Sequence, residues 1–267
     1  MPDYPLLLAP YPIGQTRTYT LKQTRGISAL IHEHIVQRSR MLRRNMEMSI
    51  YDQGGEAFLV FPTSGGRHSE FADRGMVNIL RAPIEAGALQ LFCVDTVNAT
   101  GWYNKRRSPA ARVRLQDSYE RYILQEVIPL ARSKNAGATL GALGASLGGY
   151  HAMNLALRHP GVFRRALTLG GAFDIRRFLD GHFDHAVLEQ NPPDYLPRLE
   201  DGPRLDHCRA ARLILAAGEH DFLLDENGRF SETLASRGIP HTLDVWGDGA
   251  AHDWPWWQRM AAKHLAA

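Results

Sequence analysis

The residues best placed to do chemistry are Ser146, inside Gly144-Ala145-Ser146-Leu147-Gly148-Gly149, and His252, inside Ala250-Ala251-His252-Asp253-Trp254. A serine hydroxyl becomes a useful nucleophile when an imidazole takes its proton, and the imidazole in turn needs an acid to fix its tautomer and to stabilise its charged form. The G-x-S-x-G spacing suits a sharp strand-to-helix turn that lifts the serine above a sheet. Glycine is required on both sides of the serine because side chains there would crowd the tight backbone, and Gly149 lets the helix lie close to its neighbouring strands. The flanks agree with this turn. Thr139 to Leu143 is a short buried-strand candidate, and Tyr150, Met153, Leu155, Ala156 and Leu157 suit a largely buried helix that stops at His159-Pro160-Gly161.

Among the twelve histidines, His252 has the right place in the chain order Ser, acid, His, on a late loop. It follows the strand candidate Thr242 to Trp246 through Gly247 to Ala251, read as a flexible loop. His220, His241 and His264 are weaker candidates. For the acid, Asp221 leaves the C-terminal end of the buried run Leu213 to Ala217 through Gly218-Glu219-His220, where sites in open α/β sheets gather. Asp225 is the runner-up and could instead begin the next helix as its N-cap. An oxyanion formed during acyl transfer needs two fixed donors. The Leu147 N–H is one. The other is expected from Pro62-Thr63-Ser64-Gly65-Gly66, where Pro62 has no N–H, Ser64 is the choice and Thr63 the runner-up.

These residues need a scaffold, and the chain reads as one. From Met76 onward helix-like and strand-like stretches alternate: Met76 to Ala86 helix, Leu89 to Val94 strand, Asp117 to Arg132 helix, Thr139 to Leu143 strand. Strands at Ala166 to Leu169, Leu213 to Ala217 and Thr242 to Trp246 follow, with helices at Asn227 to Arg237 and Trp254 to Leu265. Alternation implies crossover connections and a parallel sheet covered on both faces. Before it, Ser28 to Gln37, Arg43 to Tyr51 and Ala57 to Phe61 read as strands, with Asp52-Gln53-Gly54-Gly55 turning between the last two, so the sheet begins antiparallel. The expected architecture is a three-layer α/β sandwich in a single domain over residues 1–267. The Pro-, Asp-, His- and aromatic-rich stretch Asp174 to His207 is an insertion, read as a lid or as a surface loop packed away from the chemistry.

Composition excludes several classes. A hydrophobic fraction of 44% and a charged fraction of 22% are ordinary for a globular protein, and 31 Lys+Arg against 28 Asp+Glu is a weak basic excess. Its clusters, such as Arg40 to Arg44 and Lys105 to Arg107, lack aromatic interleaving and read as solvated faces, so no nucleic-acid partner is expected. Met1 to Tyr19 has no basic n-region, and no run is long enough to span a bilayer, so the expected setting is cytoplasmic with no membrane partner. Cys93 and Cys208 form no recognisable metal pair. His32-Glu33-His34 and the set His182, Asp184 and His185 match no strong metal signature, and no metal or other cofactor is expected. A homo-oligomer is compatible with the sequence. Gly101-Trp102-Tyr103-Asn104 follows the strand Leu89 to Val94 at the substrate edge, making Trp102, Tyr103 and Trp254 the substrate-contact candidates, whereas Trp256 and Trp257 suit docking of the terminal helix.

The chain resembles the putative-esterase family of α/β-hydrolases, which includes S-formylglutathione hydrolase (esterase D), the mycolyl-transferring antigens, and feruloyl and acetyl-xylan esterases. The residues that carry the resemblance are Phe61 to Gly66, Gly144 to Gly149, Asn191-Pro192, Gly218 to Asp221, and His252-Asp253-Trp254 with Trp257, so it spans most of the chain after Ile27. It implies a triad of Ser146, Asp221 and His252 with Ser64 and Leu147 at the oxyanion, and a small-molecule ester or thioester as substrate. One departure is that the Asp/His-Gly dipeptide usual at the oxyanion loop is replaced by Pro62-Thr63. Two other activities fit the same residues: an acyltransferase on the same triad, and a non-catalytic hydrolase-fold binding protein.

Overall fold

The computed structural model describes residues 17–22, 31–137 and 139–266. Residues 1–16, and the first residues of the strand expected from Ser28, lie outside them. Among the described residues nine strands form one sheet: β1 Arg17–Lys22, β2 Ile31–Arg38, β3 Asn45–Asp52, β4 Glu56–Phe61, β5 Leu89–Val94, β6 Leu140–Ala145, β7 Phe163–Leu169, β8 Arg212–His220 and β9 His241–Ala251, in the order β1-β2-β3-β5-β4-β6-β7-β8-β9. The pairs from β1 to β5 are antiparallel, and every pair from β5–β4 to β8–β9 is parallel. The three-layer reading with an antiparallel start therefore holds.

Strand period puts the core on both faces. Along β4, Ala57, Leu59 and Phe61 join one buried cluster with residues such as Phe92, Tyr119 and Met153, while Phe58 and Val60 join another with Phe71, Leu80 and Met260. The covering helices are α1 Glu70–Asp73, α2 Met76–Ile79, α3 Arg81–Glu85, α4 Pro109–Tyr122, α5 Ile128–Lys134, α6 Leu147–Arg158, α7 His185–Gln190, α8 Pro192–Tyr195, α9 Pro203–Ala210, α10 Leu224–Ser236 and α11 Trp254–Leu265. None of the described helices is long and apolar enough to cross a membrane.

Two expected helices are corrected. Met76 to Ala86 is broken at Leu80 into α2 and α3, because Pro83 has no N–H for the carbonyl of Ile79 and its ring would collide with it. The helix expected at Asp117 begins eight residues earlier, at Pro109, where the Ser108 Oγ accepts the Ala111 N–H as an N-cap. It then passes through a π-helical stretch, Ile123–Val127, before α5 and Pro129. The widened turn there accompanies the donor missing at the proline.

The segment 174–207 is held down by a buried polar network. The Tyr150 hydroxyl donates to the Gln190 carbonyl at 2.9 Å, the Gln190 amide donates to Glu120 Oε2 at 2.8 Å, and Glu120 also takes Arg158 Nε at 2.9 Å and His159 Nε2 at 2.6 Å. Asn191 accepts the Ile175 N–H at 2.9 Å, and buried Arg112 donates to the Phe178 carbonyl at 2.6 Å and Asp180 Oδ2 at 2.8 Å. Burial alone would raise the Glu120 carboxyl, but hydrogen bonding from His159 and attraction to Arg158 and His159 outweigh it and bring its pKa from 4.5 down to about 2. A folded value below the unfolded one stabilises fully above pH 4.5 and is lost as the pH falls toward 2. Glu120→Ala is accordingly expected to cost about 3 kcal/mol at neutral pH, since it takes the shared partner from Gln190, His159 and Arg158 and leaves Arg158 only Glu189. The variant should also show a flatter loss of stability on acidification. Urea unfolding at neutral and acid pH measures both, and a neutral-pH loss under about 1 kcal/mol would contradict the network's role.

Candidate active site

β6 is buried along its whole length and ends in a turn that only this glycine pattern tolerates. Ser146 has φ 54° and ψ −122°, a left-handed conformation that side-chain-bearing residues rarely adopt. A Cβ at Gly144 would lie 2.1 Å from the Gly148 carbonyl oxygen, and one at Gly148 would lie 2.2 Å from the Phe61 oxygen. One at Gly149 would fall 2.8 Å from the Gly171 Cα, so α6 does sit close against the loop after β7. The turn is held by hydrogen bonds from the Ser146 N–H to the Leu169 carbonyl at 2.9 Å, and to the Ser146 carbonyl from Gly149 at 2.9 Å and Ala172 at 3.0 Å.

Parallel strands bring their carboxyl ends to one edge, and the three residues meet there. The Ser146 hydroxyl lies 3.0 Å from His252 Nε2, and His252 Nδ1 lies 2.8 Å from Asp221 Oδ1. A carboxylate can only accept, so Nδ1 carries the proton and the Nε2 lone pair faces the serine. Asp221 Oδ1 also accepts the Leu223 N–H at 2.8 Å, which fixes the carboxylate plane. Gly170, at φ 56°, permits this approach: a Cβ there would lie 2.4 Å from Asp221 Oδ2, 2.9 Å from His252 Nδ1 and 3.1 Å from Trp257 Nε1. The chain before His252 is no flexible loop. β9 continues to Ala251, pairs irregularly with the end of β8, and the Gly249 N–H donates to Glu219 Oε1 at 2.6 Å.

The other candidates go elsewhere. Asp225 is exposed in the first turn of α10, behind an N-cap at Leu223. His241 pairs with Ser231 at 2.6 Å, His264 pairs with Asp244 at 2.8 Å, and His220 is exposed. Leu147 opens α6, so its N–H has no helical carbonyl behind it. At the facing loop, Glu70 takes both Thr63 donors, the N–H at 2.8 Å and the hydroxyl at 2.7 Å, which removes the runner-up. The Ser64 N–H has no hydrogen-bond partner among the described residues. The Phe61 and Pro62 carbonyls, packed on Gly148, bring this loop against the elbow.

Trp102 corrects the expected substrate contacts. It is 2% exposed, stacks on Phe178 at 5.8 Å and meets Tyr150 edge-on, in a cluster that includes Leu147. An indole between the elbow helix and the insertion supports the turn from beneath and cannot line a cleft. Tyr103 is 47% exposed, and its hydroxyl lies 2.7 Å from the Ser64 Oγ. Trp254 is half-buried between Phe71 and Trp257.

Several neighbours were not among the site residues expected from the sequence. The ring of Phe222, 75% exposed, lies 4.3 Å from that of His252, and Trp257 meets the same imidazole edge-on at 4.8 Å. Glu226 takes the N–H groups of Phe173 and Asp174 at 2.5 and 2.8 Å, and the Asn227 amide donates to the Gly171 carbonyl at 2.9 Å, so α10 braces the loop beside the elbow. The pair Gly170-Gly171 directly after a strand was the one available hint to this loop.

The architecture is that of the α/β-hydrolases. An S-formylglutathione hydrolase from Agrobacterium tumefaciens aligns with a TM-score of 0.71 at 16% identity, over 92% of this chain and 97% of that one. A ferulic acid esterase aligns at 0.69 and 17% identity, over 94% and 96%. The fluorophosphonate-binding serine hydrolase F of Staphylococcus aureus aligns at 0.68 and 16%, over 88% and 96%. No curated protein matches the sequence. The model of the putative esterase family matches residues 39–266, from the turn between β2 and β3 to the last residue described after α11, and the chain belongs to that family.

Proposed function

We propose that the protein is a serine carboxylic ester hydrolase working through an acyl-enzyme on small or medium acyl esters or thioesters. The observation that carries this reading is the unbroken line from the Ser146 hydroxyl through His252 to buried Asp221, with separations of 3.0 and 2.8 Å. In it the Ser146 oxygen attacks the acyl carbonyl as its proton passes to His252 Nε2. Asp221 steadies the imidazolium without taking the proton. The N–H groups of Leu147 and Ser64 receive the oxyanion. Collapse of the tetrahedral intermediate expels the alcohol or thiol, which leaves with the proton from His252. Water, deprotonated by the same imidazole, then attacks the acyl-serine and frees the acid and the Ser146 hydroxyl.

Tyr103, Phe222 and Trp254 are the side chains we assign to the substrate, and the pinned segment 174–207 acts as a fixed wall of the single α/β domain rather than as a moving lid. Its Phe178 packs against Tyr103 edge-on at 5.3 Å, and Tyr103 in turn reaches Ser64. Tyr103→Phe, which loses one hydrogen bond worth about 1 kcal/mol, should lower kcat about fivefold if that hydroxyl steadies the oxyanion loop. Steady-state kinetics separate this from a KM effect. The names of the aligned proteins favour esters of aromatic acids and acyl thioesters as the first substrates to try. The test is a panel of p-nitrophenyl esters, S-acyl thioesters and sugar acetates, with and without added alcohols as acceptors. Hydrolysis of at least one class, absent in His252→Ala, is expected. Product moving chiefly to the added alcohol would make the protein a transferase, and a panel left wholly untouched would contradict catalysis.

A further inference from the structure

On the antiparallel side of the sheet, β2 and β3 place His34 opposite Ser49, and alternation puts Glu47 on the same face as Ser49. From the segment after β4, His68 lies over them. Its ring stacks on that of His34 at 4.8 Å and 9°, and its Nδ1 lies 2.8 Å from the Ser49 Oγ. Glu47 Oε2 is 2.8 Å from His34 Nε2 and 3.3 Å from His68 Nε2, and the three ligand atoms all lie within 4.8 Å of one another. No run of sequence announces this set. Of His32-Glu33-His34, Glu33 points to the opposite face and pairs with Lys134 at 2.6 Å, so the ligand partners come from positions 47 and 68 instead.

We propose that His34, Glu47 and His68 form a binding site for a divalent transition-metal ion of the zinc type. Two imidazoles and one carboxylate are a recognised three-ligand donor set that leaves a fourth position open to water or an anion. Zinc bonds of about 2.0–2.2 Å at the tetrahedral angle hold ligand atoms about 3.3–3.6 Å apart. The carboxylate oxygen is within about half an ångström of that spacing from both nitrogens. The two nitrogens need to close by at most about an ångström and a half, and the rings to tilt out of their 9° stack so that both in-plane lone pairs converge on the ion.

The surroundings supply what such ligands need. Ser49 can accept the His68 Nδ1–H, which turns the Nε2 lone pair toward Glu47. Arg67 takes the other Glu47 oxygen at 2.6 Å and bridges to Asp95 at 3.1 Å, while the His68 N–H donates to Asp95 Oδ1 at 3.1 Å. The carboxylates of Glu47 and Asp95 outnumber the single Arg67 guanidinium, so a dication is electrostatically welcome. With side chains 29%, 27% and 12% exposed, His34, Glu47 and His68 are open enough for an ion to enter. The inference does not depend on the esterase reading, although His68 closes the segment that begins with Ser64, and an occupied site would tie that segment to β2 and β3.

The experiment titrates the full chain, stripped with a chelator, with Zn2+ by calorimetry and with Co2+ by visible absorption. One equivalent should bind, with the intense ligand-field bands of a four-coordinate Co2+ that Zn2+ displaces. His68→Ala and Glu47→Gln should each weaken binding about tenfold or more, and Ser49→Ala, which keeps all three ligands, should weaken it by about tenfold. His182→Ala, at an unrelated surface pair with Asp184, should leave binding unchanged. Circular dichroism reports folding, and Ser49→Ala serves if the ligand variants do not fold. Absence of stoichiometric binding, or binding undiminished in the folded variants, overturns the proposal.

Discussion

Ser146→Ala should lower kcat/KM for any ester the protein cleaves by about four to six orders of magnitude, leaving only the residual rate enhancement of the oxyanion donors and the binding surface. Its folding should barely change. Alanine keeps the Cβ, so the left-handed φ of 54° is no more strained than before, and all three backbone hydrogen bonds at this position remain. The lost hydroxyl contact to His252 at 3.0 Å is part-buried and worth about 1 kcal/mol at most in stability. A large fall in melting temperature with the activity loss would mean that the serine's role is structural. An unchanged rate would remove it from the mechanism altogether.

Asp221→Asn is expected to cost about 10⁴-fold in kcat, the size of effect that the wrong imidazole tautomer has in a serine triad. The asparagine amide can turn its NH2 group to His252 Nδ1 only at the expense of the Leu223 N–H, which shares Oδ1 with His252 in the parent, each at 2.8 Å. In that orientation the amide donates to His252 Nδ1 and selects the tautomer with the proton on Nε2. That nitrogen can no longer accept from Ser146. Because the change is in tautomer and not in position, KM should move little while kcat collapses, and the melting temperature should stay close to the parent's. A drop of less than about tenfold would show that the 2.8 Å contact between Asp221 and His252 is not what prepares the base.

The elbow was legible from sequence because it rests on local sterics. Gly144 and Gly148 each face a backbone carbonyl at little over 2 Å from where a Cβ would stand, so a pattern only six residues long carries the constraint. The strands were legible because β5 and β6 are buried throughout and read as apolar runs, interrupted in β5 only by Gln90. Trp102 misleads for a related reason: an indole in a loop is equally suited to a cleft wall and to a core, and only the arrival of Phe178 and Tyr150 from distant parts of the chain decides it. Thr63 could not be set aside without Glu70, whose carboxylate satisfies both of its donors across a turn. Likewise the glycines of Gly247 to Ala251 suggest a mobile loop, yet partners on β8 extend it as strand. The polar bracket of Glu120, Arg158 and Gln190 and the meeting of His34, Glu47 and His68 depend on contacts between residues far apart in sequence, and periodicity carries no trace of them.

The mechanism stands or falls on the Ser146 oxygen being the group that takes the acyl chain. Labelling of the native protein with a fluorophosphonate, followed by mass spectrometry of the intact chain and its peptides, decides it. One adduct per chain should appear, on Ser146 alone, and be lost in Ser146→Ala and His252→Ala. A folded protein that stays unlabelled, or that carries its adduct at any other residue, would refute the mechanism.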